Sequence, residues 1–189
     1  MKTTAILLLV VAFSSTVVSA QDKARYHAQN YVGLLEGEAR GAFQLQTIHG
    51  VQYRNWYGAG GIGLDYYMYR SIPVFFSLNR DIVLNKRTFF VSGDIGANYP
   101  WVQEESSMGW GGSSKQDFSP GLYWAGGLGY KAYFNNKSDA FLINLGYSFK
   151  HLKEENKSEG FCPGPPCTVY PTIYDYKLNR ISLRLGWQF

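Results

Sequence analysis

The chain has 189 residues, 46% of them apolar and 17% aromatic, with only 17% charged and 21 glycines, which excludes a disordered chain and a coiled coil. Its length suits one domain. The formal net charge of +4 comes from Lys and Arg interspersed with acids, with no basic stripe, and this argues against nucleic acid as a partner.

At the N-terminus, Lys2 precedes the apolar run Ala5 to Phe13, and Val18-Ser19-Ala20 supplies a small-residue end. This pattern reads as a secretory signal peptide over residues 1–20, cleaved after Ala20. Gln21, not cysteine, follows the cut, so no lipid anchor is expected there. Beyond residue 20 no apolar stretch approaches the roughly 20 residues of a spanning helix. The periodicity is two instead.

Segments near 31–39, 43–53, 56–69 and 72–82 alternate weakly between apolar and polar residues. In the fifth, Phe89, Val91, Gly93, Ile95 and Tyr99 alternate with Ser92, Asp94, Gly96 and Asn98. The sixth sets Leu122, Trp124, Leu128 and Tyr130 against Tyr123, Ala125, Gly127 and Lys131. The seventh sets Phe141, Ile143, Leu145, Tyr147 and Phe149 against Leu142, Asn144, Gly146, Ser148 and Lys150. The eighth is the cleanest, with Ile181, Leu183, Leu185, Trp187 and Phe189 against Ser182, Arg184, Gly186 and Gln188. Eight strands are expected. Short turns fall near Arg54-Asn55, Asn85-Lys86 and Asn135 to Ser138, whereas the long connections, about 100–119 and 153–177, emerge from the opposite rim of an up-and-down meander.

Alternation does not say which face looks inward. A soluble secreted ligand-binding barrel would turn the apolar set in, and a membrane barrel would turn it out. Three features point outward. The strands are long enough to cross a bilayer at a tilt. Aromatics such as Trp56, Tyr66, Tyr99, Trp101 and Trp187 gather at strand ends, as interfacial girdles do. The polar phase mixes glycines with charges, which suits a narrow interior crowded with side chains. The fold class expected is therefore all-β, an eight-stranded antiparallel up-and-down transmembrane β-barrel.

With its signal peptide, eight strands and the closing stretch Ile181-Ser182-Leu183-Arg184-Leu185-Gly186-Trp187-Gln188-Phe189, the chain resembles the Gram-negative outer-membrane β-barrels. The stretches Leu45 to Gly50 and Trp56 to Tyr67 resemble the small barrels of bacteroidete bacteria. The resemblance implies insertion into outer-membrane lipid by the barrel-assembly machinery, with Leu185, Trp187 and Phe189 as the assembly signal. It also implies a short periplasmic segment over 21–30, a barrel over 31–189, periplasmic termini and long loops outside the cell. It implies no particular activity.

In an oxidising periplasm, Cys162 and Cys167 are expected to form a local disulfide that stiffens the last long loop. His27, His49 and His151 lie in different segments. Asn144, Ser148 and His151 have the residue types of a lipid hydrolase, but the first two share one strand face and His151 falls on the other. No catalytic residue, metal site or cofactor is expected, and a lipid-modifying enzyme is the weakest reading. In the polar phase, Glu36, Glu38, Asp65 and Asp94 are expected to meet Lys131, Lys150 and Arg184 as a lumenal charge network, with Arg184 and Arg180 approaching Glu36 and Glu38 where the last strand closes on the first. Eight strands leave no room for a constitutive pore. The loops would present Trp101, Trp110, Tyr170 and Tyr174, with Met108 and Ile173, to an unknown extracellular partner. A structural or surface-interaction protein is the expectation, with a soluble ligand-binding barrel as the alternative.

Overall fold

The computed structural model describes residues 24–38, 40–101, 106–108, 112–135, 138–159 and 169–189. Within them the chain forms ten antiparallel strands: β1 (Arg25–Gly37), β2 (Ala42–Tyr53), β3 (Trp56–Asp65), β4 (Ser71–Leu84), β5 (Arg87–Pro100), β6 (Ser106–Met108), β7 (Gly112–Ser119), β8 (Gly121–Tyr133), β9 (Ala140–Glu159) and β10 (Val169–Gln188). Eight of them, all but β6 and β7, pair in sequence order, and β10 closes on β1 from Gln29 opposite Gln188 to Gly37 opposite Arg180. Phe189 lengthens that seam by two backbone hydrogen bonds to Ala28, of 2.9 and 3.0 Å.

The registers fix the stagger of the closed sheet. Following paired residues once around, from His27 through Gly50, Ala59, Ser77, Asp94, Ala125, Ser148 and Arg180, returns to β1 at Gly37, from position 27 to position 37. A shear of ten on eight strands tilts them by about 35 to 45° and leaves an interior that side chains can fill. The tilt also brings residues from distant strands to one level.

The turns Arg54–Asn55 and Asn85–Lys86 lie at the same end as both termini, and Arg54 and Asn85 take left-handed conformations there, with φ of 53° and 57°. At two inward positions the absence of a side chain is required by close approach. A Cβ on Gly186 would stand 2.5 Å from the Tyr31 ring, and one on Gly61 would stand 2.5 Å from the Phe75 ring. Glycine thus makes room for the aromatic rings that pack the barrel.

Two segments differ from the sequence expectation. β1 begins at Arg25, so residues 25–30, expected as a separate segment, already belong to the sheet; His27 and Gln29 point inward there, and a polar inward set hides the strand from a search for apolar alternation. The two long connections are also partly strand. β9 and β10 run on past the barrel, paired to Glu159 and Val169, and β7 adds to the extension of β9 from Ser114 opposite Ser158 to Ser119 opposite Lys153, with β6 beyond it. Polar residues on both faces of the β9 extension, and an irregular mixture of aromatic, aliphatic and polar residues with Pro171 in that of β10, remove the signal that marks the barrel strands.

Candidate functional site

Parity along each strand divides the barrel into two chemical surfaces. Outward, Leu128 is 67% exposed and Leu145 59%, and Val32, Leu34, Ile62, Phe76, Ile95, Ile143, Leu183 and Leu185 are exposed with them. Among the described residues, eight buried charged side chains lie inward, Asp65, Asp81, Asp94 and Glu154 against Lys131, Lys150, Arg180 and Arg184, four of each sign. A soluble ligand-binding barrel has the opposite arrangement. Aromatics ring the two ends, with Trp56, Phe134, Trp187 and Phe189 at the turn rim and Tyr66, Tyr99 and Trp101 at the other. Phe134 stacks on Trp187 at 5.2 Å.

The interior ion pairs form three tiers. Near the turn rim, Lys131 lies 2.9 Å from Asp81 and donates to Gln188 at 3.3 Å, while Gln52 donates to the same aspartate. At mid-barrel, Arg184 donates to Asp94 at 3.0 Å, to Gln46 at 2.9 Å and twice to Asn144 at 3.1 and 2.8 Å, with its guanidinium 5.5 Å from the Tyr31 ring centre. Ser77 donates to Asp94 at 2.6 Å, and Asn144 to Ser92 at 3.0 Å. In the tier above, Asp65 takes both Arg180 and Lys150, and Lys150 also donates to the backbone carbonyls of Tyr67 and Tyr69 and to Ser71. Above that, Glu154 accepts from Tyr69 and Tyr176. Each buried ion is thus held by an opposite charge or by hydroxyl donors, as a confined interior demands. The tiers cross the full width of the barrel, so they brace its walls and obstruct its axis.

Asp65, Asp94, Lys131, Lys150 and Arg184 all face the lumen, where Lys150 pairs with Asp65 and Arg184 with Asp94, whereas Lys131 pairs with Asp81. Glu36 and Glu38 do not face it. In the pair Leu34-Leu35 either leucine could face in; Leu35 is the buried one, which turns Glu36 outward, and Glu38 lies in the turn past the strand. At the seam Arg184 stands opposite Gly33, and it reaches across to Asp94 instead of to a glutamate of β1. Arg180 likewise serves Asp65. Asp81 and Glu154 are lumenal charges that the sequence pattern does not reveal. Asp81 sits among Arg80, Ile82, Val83 and Leu84, where alternation fails, and Glu154 lies in a segment that reads as loop.

Asn144 and Ser148 point inward, whereas His151 points out and lies 2.5 Å from Asp175, so these groups are not brought together. The hydrogen bond from His151 holds the Asp175 carboxyl below the usual carboxylate range. Leu185, Trp187 and Phe189 share the outward face of β10. Of the contact candidates, Trp101 and Tyr174 are exposed, as is Ile173 at 66%. Trp110, Cys162 and Cys167 lie outside the described residues, as does the side chain of Tyr170.

No family model matches the chain, and no curated protein matches it. Among solved structures the chain is similar to neisserial surface protein A, with 13% identity and a TM-score of 0.47 over 88% of this chain and 98% of that one. It is also similar to the outer membrane protein OprG from Pseudomonas aeruginosa, with 14% identity and a TM-score of 0.48 over 89% and 96%. The closed barrel itself stands on the strand registers given above.

Proposed function

We propose that this chain is an integral outer-membrane barrel that anchors a surface-exposed β-sheet for contact with a partner outside the cell. The observation that carries the reading is the inverted polarity: large aliphatic side chains face outward on every barrel strand, while the buried charges are gathered inside. Such a surface is at home only in lipid. Among the described residues the extension of β9 and β10 with β6 and β7 rises from the rim opposite the termini. Phe118 packs on Tyr69 and Tyr69 on Tyr176, which stiffens the base of that sheet and leaves Ile173 and Tyr174 exposed for contact. The cross-lumen ion tiers support an anchor over a constitutive pore. The turn rim and both termini then lie on the periplasmic side, and the barrel-assembly machinery reads the outward aromatic end of β10.

Cell fractionation with electrophoresis of heated and unheated samples tests the reading. The chain is expected in the outer-membrane fraction, migrating faster before heating than after. Recovery from the periplasm or medium without detergent would replace the anchor with a soluble barrel.

A further inference from the structure

The apolar outer surface is broken at one place. On β3, β4, β5, β8, β9 and β10 the outward positions are apolar or glycine until the rims, where Arg80 stands level with Trp56 and Asn179 pairs with Tyr147. On β1 and β2, by contrast, Asn30, Thr47 and His49 face outward together, Asn30 directly opposite Thr47 in the register. His49 is held between two hydroxyls, its Nδ1 2.6 Å from Tyr26 and its Nε2 2.8 Å from Thr47, so both ring nitrogens have a hydrogen-bond partner. This arrangement lowers the cost of placing an imidazole toward lipid. Asn30 stands opposite Trp187, so the patch lies beside the aromatic ring of the turn rim, at the interface between lipid and water.

The same patch borders a groove of about 640 Å³, within the range of small-molecule sites. Its origin is in the register. Asn30 and Val32 on β1 lie between Trp187 and Leu185 of β10 on one side and Thr47 and Leu45 of β2 on the other, with Trp187 and the two leucines standing higher than Val32. Moving from the turn rim toward mid-barrel, the groove changes from Asn30 and Thr47 to Val32, Leu45 and Leu185. Amide and hydroxyl at the rim end followed by an apolar trough is the order of a phospholipid read from ester to acyl chain.

We infer that this groove holds one phospholipid of the leaflet at the turn rim, its acyl chain lying along Val32 between Leu185 and Leu45 and its ester oxygens against the Asn30 amide. The inference rests on the membrane reading above. A bound lipid shields the polar patch from bulk acyl chains and seals the seam strand β1 from outside.

The test is native mass spectrometry of the barrel refolded in mild detergent and incubated with palmitoyl-oleoyl phosphatidylethanolamine or the corresponding phosphatidylglycerol. One retained lipid per barrel is expected. Val32→Trp and Asn30→Leu, which fill the floor of the groove from its outer side, are expected to abolish the lipid-bound peak, and Ile62→Trp on the outward face of β3 is expected to keep it. Heat-modifiable migration confirms that each variant is folded, and flotation with phospholipid vesicles tests the membrane reading separately. A barrel that floats yet retains no more lipid than Val32→Trp would overturn the site and leave the membrane reading intact. A dimer peak lost in Val32→Trp would assign the groove to a second copy of the chain. A barrel that does not float would overturn the membrane reading first.

Discussion

Replacing Arg184 by Met keeps much of the side-chain volume and removes the charge at the centre of the middle tier. Arg184 is 3% exposed and supplies one ion pair and three further hydrogen bonds, reaching β2, β5 and β9 from β10. Without it Asp94 keeps the Ser77 hydrogen bond at 2.6 Å and has no cation in contact. Removing one partner of a buried pair costs about 3 to 5 kcal/mol; the surviving serine donor places this substitution near the lower end, at about 3 kcal/mol. Asp94→Asn in the same chain removes the stranded charge, and the double variant is expected to recover about 2 kcal/mol of the summed single losses, within the range of coupling for contacting residues. Urea unfolding of the four proteins in lipid vesicles, followed by Trp fluorescence and heat-modifiable migration, measures the cycle. Strict additivity of the two substitutions would refute the cross-barrel pair. So would an equal coupling of Arg184 with Glu36.

Glu36→Gln is expected to change stability by less than about 0.5 kcal/mol, because this carboxylate faces outward near the rim; a cost like that of Arg184→Met, measured by the same unfolding assay, would return it to the lumen. Leu128→Arg and Leu145→Arg, at the centre of the outer surface, are each expected to destabilise the inserted barrel by about 2 to 4 kcal/mol in that assay. Deleting Phe189 removes the outward terminal aromatic and two seam hydrogen bonds; reduced insertion in cells with refolding in detergent largely retained is expected, and unchanged insertion would remove the assembly role of β10. For Asp175, whose carboxyl is held below its ordinary range by His151, the stabilising contact is present above the unfolded carboxylate pKa and is lost as pH falls through the lower folded one. An NMR titration should find Asp175 titrating at lower pH in the native chain than in His151→Gln.

How much of the barrel is legible in the sequence depends on how strictly each strand separates two environments. In β8, β9 and β10 nearly every outward apolar residue alternates with a small or polar inward one, so the alternation separates Leu128, Leu145 and Leu183 from Lys131, Lys150 and Arg184, and strand length and the aromatic girdles say which set is outside. Parity fails where two neighbours are equally apolar. Leu34-Leu35 allows either phase, and the wrong phase carries Glu36 and Glu38 into the lumen; Val83-Leu84 blurs the end of β4 and hides Asp81. Pairing partners across the barrel are not legible at all, since the contact from Arg184 to Asp94 depends on the shear of the closed sheet, which no local pattern encodes. The extension of β9 is hidden because its faces are polar on both sides, and that of β10 because aromatic, aliphatic and polar residues mix on both faces, so period two carries no contrast there. The patch at Asn30, Thr47 and His49 is hidden for a related reason: polar residues in a weakly alternating strand resemble noise until the registers put them side by side.

Spin-label accessibility along β9 tests the inverted polarity most directly. With Cys162 and Cys167 changed to Ser, single labels are placed at Leu142, Ile143, Leu145, Tyr147 and Ser148 of the chain in phospholipid vesicles, and collision with oxygen is compared with collision with an aqueous nickel chelate. Labels at Ile143, Leu145 and Tyr147 are expected to be open to oxygen and closed to the chelate, while those at Leu142 and Ser148 are shielded from lipid, Leu142 included although it is as apolar as its neighbours. High oxygen collision at Leu142 and Ser148 with protection at Leu145 would contradict a barrel whose apolar face is its outside.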